Sequence, residues 1–281
     1  MCAVINAVKA DDAGPVTQLP VVTVTEPALR EEAGVGPNNQ PAWTTDGRLG
    51  STTRAYVLPP WHVELTQWWR PEAPRGGSPK HLFQEEIEIG LPYRFQLDLY
   101  ENWELTSDGY VRHAANQVEV RWALAEWGRI PFNPTLYAEW KFNNAAADTV
   151  EMKLLLSEVI APRWHWGVNF TWEQQVGDGR ETEFAVSQAL SYTLVDEKLS
   201  AGVEMKFEHK TEQGSRSDAE IEFLIGPSIE WKPTTRTTLS VAPLFGVTDD
   251  SPHVQAFVIF SIGLGRESEG EARVPVSLKG N

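Results

Sequence analysis

Apolar and polar residues alternate with a period of two over most of the chain beyond residue 56, in segments bounded by Gly, Pro, Asn and Asp clusters. Successive strand side chains point to opposite sides, so each segment reads as a strand with two unlike faces. The stretch 83–105 shows the scheme most plainly. Phe83, Ile87, Ile89 and Leu91 share one face, and Gln84, Glu86, Glu88 and Gly90 share the other. After a five-residue turn, LPYRF, the residues Phe95, Leu97 and Leu99 oppose Gln96, Asp98 and Tyr100. One face of this hairpin is acidic and the other wholly apolar, which suits a sheet on a core or a membrane barrel with a wet lumen.

Twelve segments follow this pattern, near 56–70, 83–91, 95–105, 118–124, 136–142, 150–157, 164–174, 182–194, 203–208, 220–231, 237–247 and 254–264. Links after odd-numbered segments are polar and mostly longer, such as RPEAPRGGSPK and HKTEQGSRSDAE. Those after even-numbered segments tend to be tight, such as GLPYRF, APRW and VDEK. An even strand number with short turns at one end and longer loops at the other is the asymmetry of outer-membrane barrels, with both termini in the periplasm. The fold expected is all-β: a single closed antiparallel up-and-down transmembrane β-barrel of about 12 strands, spanning 52–265.

Composition sharpens this. No apolar run approaches the roughly 18 to 20 residues of a spanning helix, and in lipid only helices and closed barrels satisfy their backbone groups. The 12 tryptophans among 281 residues recur near strand ends, where an indole can sit at a membrane–water interface. Trp61, Tyr93, Phe95, Trp127, Trp164 and Trp231 are expected at the inner rim of an aromatic girdle, and Trp69, Trp103 and Trp172 at the outer one. With 24 basic against 39 acidic residues, no basic patch is available for nucleic acid. The single cysteine, Cys2, excludes a disulfide framework.

The ends of the chain read differently. Residues 1–10, MCAVINAVKA, look like the end of a secretory signal. Residues 11–51 are rich in Pro, Gly, Asn and Thr without a sustained period and read as a flexible periplasmic extension. Within it PVVTVTE (20–26) faintly resembles the box by which outer-membrane transporters engage an energising partner, although a chance β-prone heptad is the simpler account. Residues 266–281 form a polar tail.

Segments such as QEEIEIGLPYRFQLDLYENWE and AEIEFLIGPSIEW resemble the outer-membrane β-barrel transporter and porin-like families of Gram-negative bacteria, including the phenol-degradation-pathway-like putative transporter group. The resemblance covers about 51–265 and implies an outer-membrane location, with membrane lipids and the barrel-assembly machinery as partners. It departs at the C-terminus, where such barrels end on an aromatic residue and this chain continues into its polar tail.

The strand phase turns Glu64, Glu86, Glu88, Asp98, Glu119, Glu139, Glu151, Glu173, Glu183, Glu204, Glu208, Glu220, Glu222 and Glu230 inward, with Arg121, Lys141, Lys153 and Lys206. Rings of carboxylates in a wet lumen favour cations, so a narrow porin-like channel for small polar or cationic solutes is one reading. The alternatives are a salt-bridged, non-conducting structural or partner-binding barrel, or a soluble ligand-binding barrel. The six histidines are scattered without metal-site spacing, no catalytic Ser/His/Asn set is evident, and no cofactor is expected. Strict alternation puts Glu85 and Glu101 on the lipid face, towards the outer ends of their arms where charge costs little; a like-charge pair across the two strands would instead suggest a β-bulge or a cation between them.

Overall fold

The computed structural model describes residues 29–264 except 47, 107–108 and 178–179, with the backbone alone at 46 and 48. The signal-like segment 1–10, the box at 20–26 and the tail 266–281 lie outside the described residues.

Four two-residue strands come first: β1 (Gly34–Val35) pairs with β2 (Gln40–Pro41), and β3 (Arg48–Leu49) with β4 (Thr53–Arg54). Twelve long strands follow: β5 (Val63–Ala73), β6 (Lys80–Leu91), β7 (Phe95–Leu105), β8 (Val111–Ala123), β9 (Thr135–Asn143), β10 (Thr149–Ala161), β11 (Trp164–Gln175), β12 (Glu181–Val195), β13 (Leu199–Glu212), β14 (Glu220–Thr234), β15 (Thr237–Gly246) and β16 (Val254–Gly263). Each pairs antiparallel with its sequence neighbours, and β16 closes on β5 through pairs such as Ile259↔Trp68 and Ser261↔Thr66. Closure leaves no free edge, which lipid would not tolerate.

The alternation seen in the sequence is the inside–outside alternation of the wall. Each strand of the barrel exposes at least one large apolar side chain, among them Leu65, Ile87, Leu99, Val118, Trp140, Leu154, Phe170, Phe184, Val203, Ile225, Val241 and Phe260. A continuous apolar exterior of this extent far exceeds what a soluble monomer presents. It is the lipid-facing band of a membrane barrel. No described helix is long and apolar enough to cross a membrane, so the crossing is made by strands.

Glu85 and Glu101 keep the strict phase. Both are exposed and face each other in register, flanked by Gln67 and Asn116 in a polar row across β5–β8. A bulge falls one step further along, between Asn102 and Trp103. The aromatic row Trp69, Phe83 and Trp103 sits two residues nearer the loop end, so the carboxylate pair lies close to the rim.

One end carries turns at 92–94, 162–163, 196–198 and 235–236, and the other the loops 74–79, 106–110, 144–148, 176–180, 213–219 and 247–253. The exception at the short-turn end is the longer connection 124–134 between β8 and β9.

The first strand begins later than its pattern suggested. Tyr56, Val57 and Leu58 are fully buried and belong to a segment that lies inside the barrel. Trp61 turns the corner with φ 67° before β5 starts at Val63. Gly90 makes room at this crossing, since a Cβ there would stand 2.0 Å from the Pro59 carbonyl oxygen. Residues 29–51, whose composition suggested a flexible extension, are also folded inside. The bonding partners of residues 51–58 lie on β6, β7, β8, β10, β11, β12 and β13, around more than half of the inner wall, and Arg30, Glu31 and Glu32 bond β11, β12 and the turns 162–163 and 196–198. We call residues 29–58 the plug.

Candidate functional site

The plug is an extended chain in a tube, so its backbone groups need partners that regular secondary structure does not supply. The wall supplies them from inward polar side chains. Asn169 accepts from the Arg54 amide at 2.7 Å and donates to the Arg54 carbonyl at 2.8 Å. Gln96 accepts from the Leu58 amide (2.7 Å), Ser157 donates to the Ala55 carbonyl (2.7 Å) and Ser187 to the Thr52 carbonyl (3.0 Å). Glu204, fully buried, accepts from the amides of Ser51 (2.9 Å) and Thr52 (2.9 Å) and from both hydroxyls. Gly50 (φ +81°) sits against this clasp, where a Cβ would meet the Glu204 carboxylate at 2.4 Å.

Charge makes the second attachment. Arg54 pairs with Glu86 at 2.9 Å and lies 3.9 Å from both Glu88 and Glu119. Burial disfavours its charge, but Glu86, Tyr100, Glu119 and Glu88 outweigh this and hold its pKa above the ordinary arginine value. Arg121 serves the same group from the wall, at 2.7 Å from Asp98 and 3.6 Å from Glu88 and bonded to Glu119. Trp68 donates to Glu86, Gln96 to Glu88 and Asp98, and Tyr100 to Glu119. Glu86, Glu88 and Asp98 bring their oxygens within 4.8 Å of one another; the positive charges facing them are the two guanidiniums.

Near the short-turn end Trp43 stacks on His165 (4.8 Å), and Trp127 meets Trp43 and Tyr56 edge-on at 5.8 and 5.3 Å. The Tyr56 hydroxyl donates to the Ala125 carbonyl at 2.5 Å, and burial pushes its pKa to about 12. Glu31 and Glu32 anchor the plug's start on Thr193, the Glu197 amide and the Arg163 amide.

These carboxylates belong to a longer row. The register pairs Glu64 with Glu88, Glu88 with Asp98, Asp98 with Glu119, Glu119 with Glu139, Glu139 with Glu151, Glu151 with Glu173, and Glu173 with Glu183. One acid thus stands on each of β5 to β12. Barrel strands tilt from the axis, so the row climbs: Glu64 is second in β5 from the short-turn end, and Glu183 third in β12 from the loop end. Its foot is sealed under the plug and its top is wet.

The wet part is a vestibule of about 520 Å³ floored by Ser51, Thr52 and Arg54. Eight carboxylates line it (Glu72, Glu139, Glu151, Glu173, Glu183, Glu208, Glu220 and Glu222) together with seven bases (Arg54, Arg70, Lys80, Lys141, Lys153, Lys206 and Lys210). The acidic bias expected of the lumen is therefore nearly neutralised in this region. Between the plug and the wall of β12–β15, beside Trp43, Leu49 and Gly50, a cleft of about 20 Å³ remains, lined by Ser191, Ser200, Gly202, Ser228 and Ser240. That is room for about one water, too little for a solute.

No protein-family model and no curated protein matches the chain. Among solved structures, the NanC porin aligns with a TM-score of 0.51 at 11% identity, over 72% of this chain and 98% of its own. An outer membrane channel from Pseudomonas putida F1 aligns with a TM-score of 0.54 at 10% identity, over 75% of this chain and 98% of its own. The closed antiparallel barrel of twelve strands is thus a fold shared with outer-membrane proteins. At these identities the likeness concerns the fold alone; the site has to be read from this chain's own residues.

The residues singled out from the sequence divide into three groups. Glu64, Glu86, Glu88, Asp98, Glu119, Arg121 and Glu204 are buried in the plugged half of the barrel. Glu139, Lys141, Glu151, Lys153, Glu173, Glu183, Lys206, Glu208, Glu220 and Glu222 line the vestibule. Glu230 pairs with Lys232 at 3.6 Å beside the small cleft. Of the aromatic girdle, Trp61, Tyr93, Phe95, Trp164, Trp231 and Trp69 are exposed on the exterior, and Trp103 and Trp172 are half-buried. Trp127 is a correction: it packs on plug residues, because connection 124–134 folds over the lumen instead of turning at the rim.

Pattern reading passed over Asn169, Gln96, Ser157 and Ser187, which hold the plug backbone, and Arg54 itself, whose two-residue strand carries no period. It also missed that Leu224, Ala242, Leu244, Phe257 and Ile259 turn an apolar face inward on β14–β16, covered by Trp68. On β15 and β16 those strands are apolar on both faces, a signal visible in SVAPLFG and VQAFVIF.

Proposed function

We propose that the protein is an outer-membrane channel held shut by its own N-terminal segment. Small polar solutes enter the vestibule from the loop end and pass when the plug leaves its seat. The short-turn end, with the plug, faces the periplasm, and the partners are outer-membrane lipids and the barrel-assembly machinery.

What carries this reading is the manner of attachment. The plug is held chiefly by side-chain hydrogen bonds and by the Arg54 ion pairs, while the barrel closes without it through an unbroken set of strand pairs. A wall that is polar beneath the plug needs no rebuilding to become a water-filled passage. Once Arg54 withdraws, Glu86, Glu88, Asp98 and Glu119 face the lumen with Arg121 as their one close guanidinium, so the open passage favours cations.

Planar-bilayer recording tests this. The intact chain should show rare, small steps, and a variant lacking residues 1–58 frequent, larger, cation-selective ones. A deletion variant that folds as a heat-modifiable barrel yet stays as silent as the intact chain would favour the second reading, a non-conducting barrel. The one-water cleft beside the plug is the observation on that side.

A further inference from the structure

Most charges in the vestibule satisfy one another. Lys80 pairs with Glu72 (3.0 Å), Lys153 with Glu151 (2.8 Å) and Lys206 with Glu208 (2.5 Å), while Lys210 lies 3.7 to 4.0 Å from Glu183, Glu208 and Glu222. Four lining charges have no hydrogen bond or ion pair within 4 Å among the described residues: Arg70, Lys141, Glu173 and Glu220. Two of them stand on opposite walls.

Arg70 lies on β5. Its Nε is buried without a hydrogen-bond partner. The carboxylates whose field it feels, Glu208 and Glu72, are each engaged by a lysine at hydrogen-bonding distance. On its inner side the neighbours are apolar, with Leu82 opposite in register on β6 and Trp68, two residues back on the same face, packed against Phe257 at 6.5 Å; towards the loop end Glu72, two residues on, is held by Lys80 and Gln255. A guanidinium in such a setting lacks a fixed counter-ion, and an acidic group offering two acceptor oxygens would satisfy it.

Glu173 lies on β11, six strands from β5 in the closed order of twelve and so directly across the lumen. The register sets it between Glu151 and Glu183. Lys141, Lys153 and Lys206 are the bases whose charge it feels, Lys153 committed to Glu151 and Lys206 to Glu208, and none is within ion-pair distance of Glu173. Glu173 thus stands between two carboxylates that each have a lysine, Lys153 at 2.8 Å from Glu151 and Lys210 at 3.7 Å from Glu183, and has none itself, so it can accept an ammonium group.

We propose that the vestibule binds small zwitterions, with the acidic end on Arg70, the ammonium end at Glu173, and an aliphatic spacer along Leu82, Phe257 and Trp68. This rests on the vestibule being the solute-facing side of the channel, and it selects the solute by charge pattern instead of net charge. A simple anion meets the acids of the far wall, and a simple cation leaves Arg70 unsatisfied.

Isothermal titration calorimetry on the full chain in detergent, at low ionic strength, distinguishes the cases. The probes are the ω-amino acids from 4-aminobutyrate to 8-aminooctanoate, with hexanoate and hexylamine as controls. At least one amino acid of the series should bind about tenfold or more tightly than either control, as an added charge-assisted contact implies. Arg70→Gln should reduce its affinity to that of hexylamine, and Glu173→Gln to that of hexanoate, with far-UV circular dichroism unchanged in both. Hexanoate or hexylamine binding as tightly as the best amino acid would overturn the proposal, as would no binding by any probe or an advantage that survives both substitutions. Binding is read without conduction, so a silent channel that binds zwitterions refutes gating alone, and a conducting channel that ignores them refutes this proposal alone.

Discussion

At the scale of the residue, Arg54 and Gly50 decide whether the lumen is closed. Arg54 is the plug's cation among four buried acids, and removing one partner of a buried ion pair costs about 3–5 kcal/mol because the other charges stay behind. Arg54→Gln should therefore unseat the plug while sparing the barrel, raising open-channel events in bilayers by well over tenfold at an unchanged unfolding midpoint of the strands. Gly50→Ala acts through the backbone. A left-handed φ costs a non-glycine residue about 1–2 kcal/mol, and the added methyl also meets the Glu204 clasp. The expected result is a five- to thirtyfold rise in opening, smaller than that of Arg54→Gln. Equal closure in both variants would mean that the plug is held elsewhere.

Tyr56 supplies a pH dependence. Its folded pKa of about 12 stands above the ordinary value of 10.0. Its contribution is thus complete below pH 10 and lost as pH rises from 10 to 12, where the buried hydroxyl must ionise and release the Ala125 carbonyl. Opening should increase over that window in the intact chain. In Tyr56→Phe this component should vanish, which conductance at pH 9 and pH 11 can check.

At the scale of the element, the strands and the plug obey different rules. A barrel strand is stabilised by two ladders and by a lipid-facing residue at every second position, so its identity is written in a period of two. Leu154 and Phe170, paired near the middle of β10 and β11, belong to that band. Leu154→Arg should destabilise the barrel in vesicles by about 2–4 kcal/mol, read as a fall in the denaturation midpoint with plug-dependent conductance unaffected. The plug has almost no ladder of its own. Between Ser51 and Leu58 its backbone groups are met largely by wall side chains, from Gln96 on β7 to Ser187 on β12, and a segment held in that way has no period to display. The same distinction explains where the first strand begins. Tyr56 to Leu58 continue the apolar texture of β5, yet the Leu58 amide is met by Gln96 of the wall and the Val57 carbonyl by Gln40 of the plug itself, not by a neighbouring strand.

At the scale of the whole molecule, tilt turns a local pattern into a path. Eight acids, one on each of eight successive strands, form a row only because the register aligns them, and the row climbs only because the strands lean. Low in the barrel the acids meet Arg54 and Arg121 in a dry seat; high in the barrel they meet lysines in water. One chemical type thus does two jobs, holding the plug below and facing the vestibule above, and depth separates the two.

The alternation of residues determined the strand count, the inward and outward faces and the closed all-β architecture, because a lipid exterior and a wet or polar interior impose a choice of side chain at every strand position. It also put Glu85 and Glu101 on the outer face, where they stand. What only the tertiary structure decided is what fills the tube. Composition marked residues 29–51 as loose because they lack a period and a core of their own, but twelve strands enclose the plug, and between Ser51 and Leu58 they lend it partners from seven. The fate of the inward charges turned on the same fact. Whether an inward Glu meets water, a lysine or a guanidinium depends on register, tilt and the course of the plug, and these arise from contacts between residues distant in sequence, such as Ser51 and Glu204 or Arg54 and Asn169.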